Sequence, residues 1–128
     1  MFNIDGNIWQ GAYPIKLPYE IQGIVSLISF DKNKYDDRKA YIRLPIPDGP
    51  PVSLNWLKMA VNITNELVEQ FPVYIHCRAG ISRSAALTAA LLMKRNHWNY
   101  DKALNFIAEK NPKINPNKHF MNLLKELS

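Results

Sequence analysis

The stretch from residue 71 to residue 96 constrains the fold more than any other. "FPVYI" reads as a short buried strand. His76 and Cys77 follow it, then a turn through Gly80, then an Ala- and Leu-rich segment that reads as a helix from about Ser84 to Asn96. A strand that ends, bends through glycine and opens a helix is a ready anion site. The first N–H groups of a helix have no intrahelical partner, and the helix dipole is positive at that end. The sequence therefore predicts a phosphate-sized nest directly after a core strand.

The rest of the chain fits an α/β domain. "NIWQG" and "GIVSLIS" read as strands, the second apolar enough to be buried, and "AYIRLPI" reads as a third, running into the turn cluster "PDGPP". Ser53 is placed to cap a helix over about 54–70, with Leu57, Val61, Thr64 and Val68 on one face and Ala60, Ile63 and Leu67 flanking it. "DKALNFIAEK" and "KHFMNLLKEL" fit two further helices. Strands alternating with helices and followed by a helical tail indicate the α/β class. No repeat, linker or low-complexity segment divides the 128 residues, so one domain over 1–128 is expected.

Composition narrows the chemistry. A single cysteine cannot form an internal disulfide, and no cysteine pair suggests a zinc site. No apolar run approaches a membrane span, and "MFNIDGNIWQ" lacks the basic start and apolar stretch of a signal peptide. These features point to a cytoplasmic, metal-free protein. The net charge of +5 is uneven: residues 76–128 hold nine Lys/Arg against three Asp/Glu, and residues 1–75 hold seven against eight. A basic half suits phosphorylated or acidic partners, although a solvated lysine surface explains it equally well. No arginine-rich run or nucleic-acid motif is present.

In "YIHCRAGISRS", Gly80 lets consecutive N–H groups turn inward. Arg83 adds a planar fork matched to two phosphate oxygens. Cys77 stands at the mouth of that ring, where a positive field favours the thiolate, and a thiolate beneath a cradled phosphate is placed for in-line attack on phosphorus. The alternative for Cys77 is an inert buried thiol.

His76, Cys77, Gly80, Arg83 and Ser84 together match the His-Cys-x5-Arg-Ser signature, and the chain resembles the protein tyrosine phosphatase superfamily, most closely its small dual-specificity branch. "NIWQGAYP", "YIRLPIPD" and "INPNKHF" extend the resemblance over nearly the whole sequence. It implies a central twisted sheet, mixed or parallel, flanked by helices, with the phosphate loop between the last strand and a helix. It implies hydrolysis of phosphoesters in two steps through a phosphocysteine, with no cofactor and no metal. Arg78, Ala79, Gly80, Ile81, Ser82 and Arg83 would bind the phosphate. Ser84 would hydrogen-bond the sulfur and help it leave, with a helix cap as the plainer reading. His76 would hold the loop and tune the thiolate, or be a satisfied core histidine. Asn117 would brace the loop or cap a helix.

A phosphoester also needs an acid to protonate its leaving oxygen. The family places an aspartate about thirty residues before the cysteine, and Asp48 lies there, although Pro-Asp-Gly is also ordinary turn chemistry. Asp31, Asp36 and Asp37 are the fallback acids. "KNKY" at 32–35 superficially resembles a phosphotyrosine loop of larger enzymes but stands too near Cys77 for that arrangement, leaving Tyr35 as a rim residue at most. A short loop there implies a shallow pocket open to phosphoserine and phosphothreonine as well as phosphotyrosine. The expected partners are phosphorylated proteins or peptides met by a monomer, with no membrane and no nucleic acid. An inositol-lipid phosphatase, an RNA 5′-phosphatase, a phosphate-reading module without catalysis and a persulfide-carrying sulfurtransferase are the competing readings.

Overall fold

A computed structural model describes residues 1–14, 16–29 and 37–128. Asp31, Asp36 and the "KNKY" segment with Tyr35 lie outside the described residues.

Among the described residues, five short strands form one sheet: β1 (Phe2–Asp5), β2 (Ile8–Gly11), β3 (Gly23–Ser26), β4 (Ala40–Arg43) and β5 (Val73–His76). Their order across the sheet is β1-β2-β5-β3-β4. β5 pairs in parallel with β2 on one side and β3 on the other. β4 extends the parallel set beyond β3, and β1 pairs antiparallel with β2 at the opposite edge. The sheet is therefore mixed, and β5, last in sequence, occupies its middle. All four of its residues are buried, as a strand covered on both faces requires.

The two-residue period sorts the side chains by face. Ile8, Val25, Val73 and Ile75 belong to a large cluster that also holds the buried faces of the described helices. Ile24 and Tyr74, with Trp9 against them, point the other way and meet Leu17 and Ile21. On that second face the cover comes from the segment between β2 and β3.

The helices are α1 (Leu54–Val68), α2 (Arg83–Asn96), α3 (Tyr100–Lys110) and α4 (Lys118–Leu127). α2 is their centre. Every residue from Ser84 to Met93 is buried, the pattern of a helix enclosed on all sides. Four alanines in that run let α1, α3 and α4 as well as β2 and β5 approach it. Side chains mark the starts of the other three helices: Ser53, Asn99 and Asn117 each accept the backbone N–H three residues on, at 3.0, 2.9 and 3.0 Å. α2 stops where His97 takes a left-handed conformation, φ 57°, a role glycine usually fills.

Element types and centres agree with the sequence reading, with strands trimmed to four residues. α1 has the expected buried face of Leu57, Ala60, Val61, Thr64 and Val68. β1 is an addition. "FNID" is a four-residue strand with only Ile4 fully buried, too short and too polar to register as a strand on hydrophobic pattern. Its pairing with β2 across a turn at Gly6, φ 53°, is what defines it.

Leu91 is fully buried at the middle of α2, where side chains of the surrounding elements cannot collapse into a gap. Replacement by alanine is expected to cost about 2–5 kcal/mol, read as a lowered midpoint in denaturant unfolding at unchanged slope.

Candidate active site

The carboxyl end of β5 lies in the interior of the sheet, the position at which open α/β sheets place their ligands. His76 ends the strand and Cys77 opens the loop that leads into α2. Gly80 turns that loop with φ 72°, a conformation that L side chains rarely adopt. It also brings the loop hard against the end of β2. A Cβ on Gly80 would stand 2.5 Å from the carbonyl carbon of Gly11 and 2.6 Å from the nitrogen of Ala12. Glycine is required here for conformation and for space.

The loop carbonyls are turned to the scaffold. The Arg78 carbonyl accepts the Tyr13 N–H at 2.9 Å and the Ile81 carbonyl accepts the Asn115 N–H at 2.7 Å. The Gly80 carbonyl accepts the side-chain amides of Gln10 and Asn111, at 2.9 and 3.3 Å. Nδ1 of His76 lies 3.2 Å from the Cys77 carbonyl oxygen. In a trans peptide the N–H points opposite to the carbonyl before it. The N–H groups of Arg78, Ala79, Ile81 and Ser82 are thereby turned to the other side, which is the geometry of an anion nest.

Cys77, Arg78, Ala79, Ile81, Ser82 and Arg83 line an open pocket of about 440 Å³, with Asp48, Asn115 and Asn117 completing its wall. The Cys77 side chain is buried at the base. Its Sγ lies 3.2 Å from the Ser84 hydroxyl and accepts the Ser84 N–H at 3.4 Å. Ser84 is therefore not a helix cap. It is the second residue of α2, and its hydroxyl faces the sulfur. Ser82 holds the cap position but makes no side-chain cap bond; its hydroxyl donates to Asp48 Oδ1 at 2.7 Å instead.

Asp48 reaches the pocket wall from the loop between β4 and α1. Its Oδ1 also accepts the side-chain amide of Asn117 at 2.7 Å. Asn117 makes contacts on both sides. It caps α4 through Oδ1 and touches the loop through its backbone N–H, which donates to Ser82 Oγ at 2.9 Å. Arg83 donates Nη1 to the Ile46 carbonyl at 2.9 Å, tying the start of α2 to the segment that carries Asp48. Asp37, one of the fallback acids, is not part of the pocket wall; it lies 3.7 Å from Arg38.

His76 is fully buried beneath the loop. Its ring stacks on Tyr74 at 5.7 Å, two residues earlier on the same face, and meets Tyr13 at 5.9 Å. It supports the backbone of Cys77 from below. Gln10 and Asn111 hold the loop from behind, Asn115 holds it from the pocket wall, and all three escaped the sequence reading. Gln10 sits within an apolar strand, and Asn111 reads as the stop of α3; a polar residue at an inward strand position was the one available signal.

The catalytic-domain model of the dual specificity phosphatases matches residues 13–128. Dual specificity protein phosphatase 1 of Mus musculus is 31% identical over 107 residues, covering 80% of this chain and 29% of that protein. Tyrosine-protein phosphatase yvh1 of Schizosaccharomyces pombe is 51% identical over 53 residues, 41% of this chain and 16% of that protein. The chain thus spans less than a third of the length of either relative. Among solved structures, the human tyrosine phosphatase-like serine/threonine/tyrosine-interacting protein superposes with a TM-score of 0.85 at 28% identity, covering 98% of this chain and 93% of that one. DUSP15 superposes with a TM-score of 0.83 at 25% identity, covering 97% and 84%. A sequence match that runs from Tyr13 through the loop to Ser128, on an architecture shared nearly end to end, shows that this chain belongs to the dual specificity phosphatase catalytic-domain family.

Proposed function

We propose that the protein is a cysteine-dependent phosphoprotein phosphatase that hydrolyses phosphotyrosine and phosphoserine or phosphothreonine monoesters through a phosphocysteine intermediate. One observation carries the reading. The loop turns four carbonyls to the scaffold around Cys77, while both donors of Ser84 lie against its sulfur. A ring of N–H groups suits three phosphate oxygens, and the sulfur beneath it faces phosphorus opposite the ester oxygen.

The first step transfers the phosphoryl group to sulfur. The Cys77 thiolate attacks phosphorus, the bond to the leaving oxygen breaks, and that oxygen takes a proton from Asp48. Oδ1 of Asp48 already accepts two hydrogen bonds, so Oδ2 is the oxygen that carries and delivers the proton. The Arg83 guanidinium binds two equatorial oxygens as a fork and stabilises the charge that develops on them. Its bond to the Ile46 carbonyl fixes the acid-bearing segment relative to the phosphate site. In the second step water attacks the phosphocysteine, Asp48 accepts the proton of that water, and Ser84 stabilises the departing thiolate.

A second reading has a specific basis. One structural neighbour is described as a phosphatase-like interacting protein, which suits a module that binds phosphorylated segments without turning them over. Turnover separates the two. The purified protein is expected to hydrolyse an aryl phosphate in the presence of a chelator. Cys77→Ser is expected to lower kcat by at least about a hundredfold while still binding vanadate. An inactive wild-type protein that binds phosphopeptide would favour the binding module.

The role of Asp48 has its own test. Asp48→Asn is expected to lower kcat by about 10²–10⁴-fold for phosphotyrosine and phosphoserine peptides, whose leaving oxygens are basic. The loss for an activated aryl phosphate, which departs without a proton, should be much smaller. Steady-state comparison of the substrates reads the difference, and equal losses would remove Asp48 as the acid.

A further inference from the structure

Gln10 is a fully buried polar side chain that the two chemical steps above leave without a task. It is the third residue of β2, opposite Ile75 of β5, and so points to the helix side of the sheet. Burial of a primary amide is costly unless all its groups are bonded, and here they are. Nε2 donates to the Gly80 carbonyl and to the Ser84 hydroxyl, both at 2.9 Å. Oε1 accepts Nδ2 of Asn111 at 3.0 Å. Asn111 lies at the far end of α3, and its Oδ1 accepts the Lys113 N–H at 3.3 Å.

The chemistry of the partners fixes the direction of this chain. A carbonyl oxygen only accepts, so the Gln10 nitrogen must face Gly80. The same nitrogen then donates to Ser84 Oγ and occupies one of its lone pairs. The Ser84 proton is left with two destinations, the Gly11 carbonyl at 3.3 Å and Cys77 Sγ at 3.2 Å. Between a neutral carbonyl and a thiolate, the anion is the stronger acceptor. A hydroxyl that already accepts a hydrogen bond is also a better donor, because bonds in a chain polarise one another.

We propose that Gln10 is a positioning residue which, through Ser84, prepares the Cys77 sulfur to leave phosphorus in the second step; this rests on the phosphatase reading above. In that step a water oxygen forms a bond to phosphorus and its proton passes to the Asp48 carboxylate. The sulfur–phosphorus bond breaks, its electron pair goes to sulfur, and inorganic phosphate is released. The Ser84 hydroxyl meets the new thiolate only if its hydrogen is turned that way; the Gln10 amide, by filling one Oγ lone pair, leaves that hydrogen only the sulfur and the Gly11 carbonyl, of which the anion is the stronger acceptor. Asn111 holds Gln10 in register.

The test separates the two steps. With an activated aryl phosphate, kcat/KM reports formation of the phosphocysteine and kcat reports its hydrolysis. Gln10→Met keeps length and removes the amide. It is expected to lower kcat about tenfold and KM with it, keep kcat/KM within about threefold of wild type, and raise the burst of released phenol. In a Ser84→Ala background the same substitution should change kcat by less than about twofold, because the two side chains act as one unit. If Gln10→Met does not fold by thermal unfolding, Asn111→Ala loosens the same amide and should give the same split at smaller size. Equal falls in kcat and kcat/KM without a burst, or additive losses in the cycle, would show that Gln10 only supports the loop and overturn the proposal. Absence of turnover in the wild-type enzyme would overturn both this proposal and the phosphatase reading.

Discussion

The site depends on the contact between Gly80 and the end of β2. The loop can lie against Gly11 and Ala12 only because Gly80 has no side chain and tolerates φ 72°. Contact at that point brings the Gly80 carbonyl within reach of Gln10 and Asn111 and the Arg78 carbonyl within reach of Tyr13. Once the carbonyls are held behind the loop, the N–H groups have only the pocket to face. The nest is thus a consequence of packing two backbones closely, with the positive end of α2 adding to the same field.

A second set of contacts joins the Asp48 loop to the Cys77 loop. Asp48, Ser82 and Asn117 come from three segments far apart in sequence and meet at two hydrogen bonds of 2.7 Å and one of 2.9 Å. Arg83 adds the bond to Ile46. The loop that carries Cys77 and the loop that carries Asp48 are therefore fixed to one another on the frame of α2 and α4. In the proposed mechanism such preorganisation leaves little rearrangement for the transition state.

Much of this was legible in the chain. Cys77, Gly80 and Arg83 lie within seven residues, and the requirements of a strand, a turn and a helix are local, so their placement followed from the order of the residues. The α1 face and the Ser53 cap were legible for the same reason. The supports behind the loop were not. Gln10 and Asn111 are 101 residues apart in sequence and meet across the sheet, and neither has a local pattern that announces the other. Ser84 and Asn117 each allowed two readings, cap or site, because a small polar side chain at a helix start suits both. In the structure the Ser84 hydroxyl lies 3.2 Å from the sulfur, and Asn117 caps α4 while its side-chain amide reaches Asp48.

The central claim is that phosphate passes through the sulfur of Cys77. Mixing the wild-type enzyme with an excess of aryl phosphate, denaturing it within the first turnovers and mapping its peptides by mass spectrometry tests this directly. The account predicts a phosphoryl group on the peptide that contains Cys77, formed before the steady state and discharged once substrate is consumed. Sustained turnover with no phosphoryl group on Cys77 at any time would contradict it.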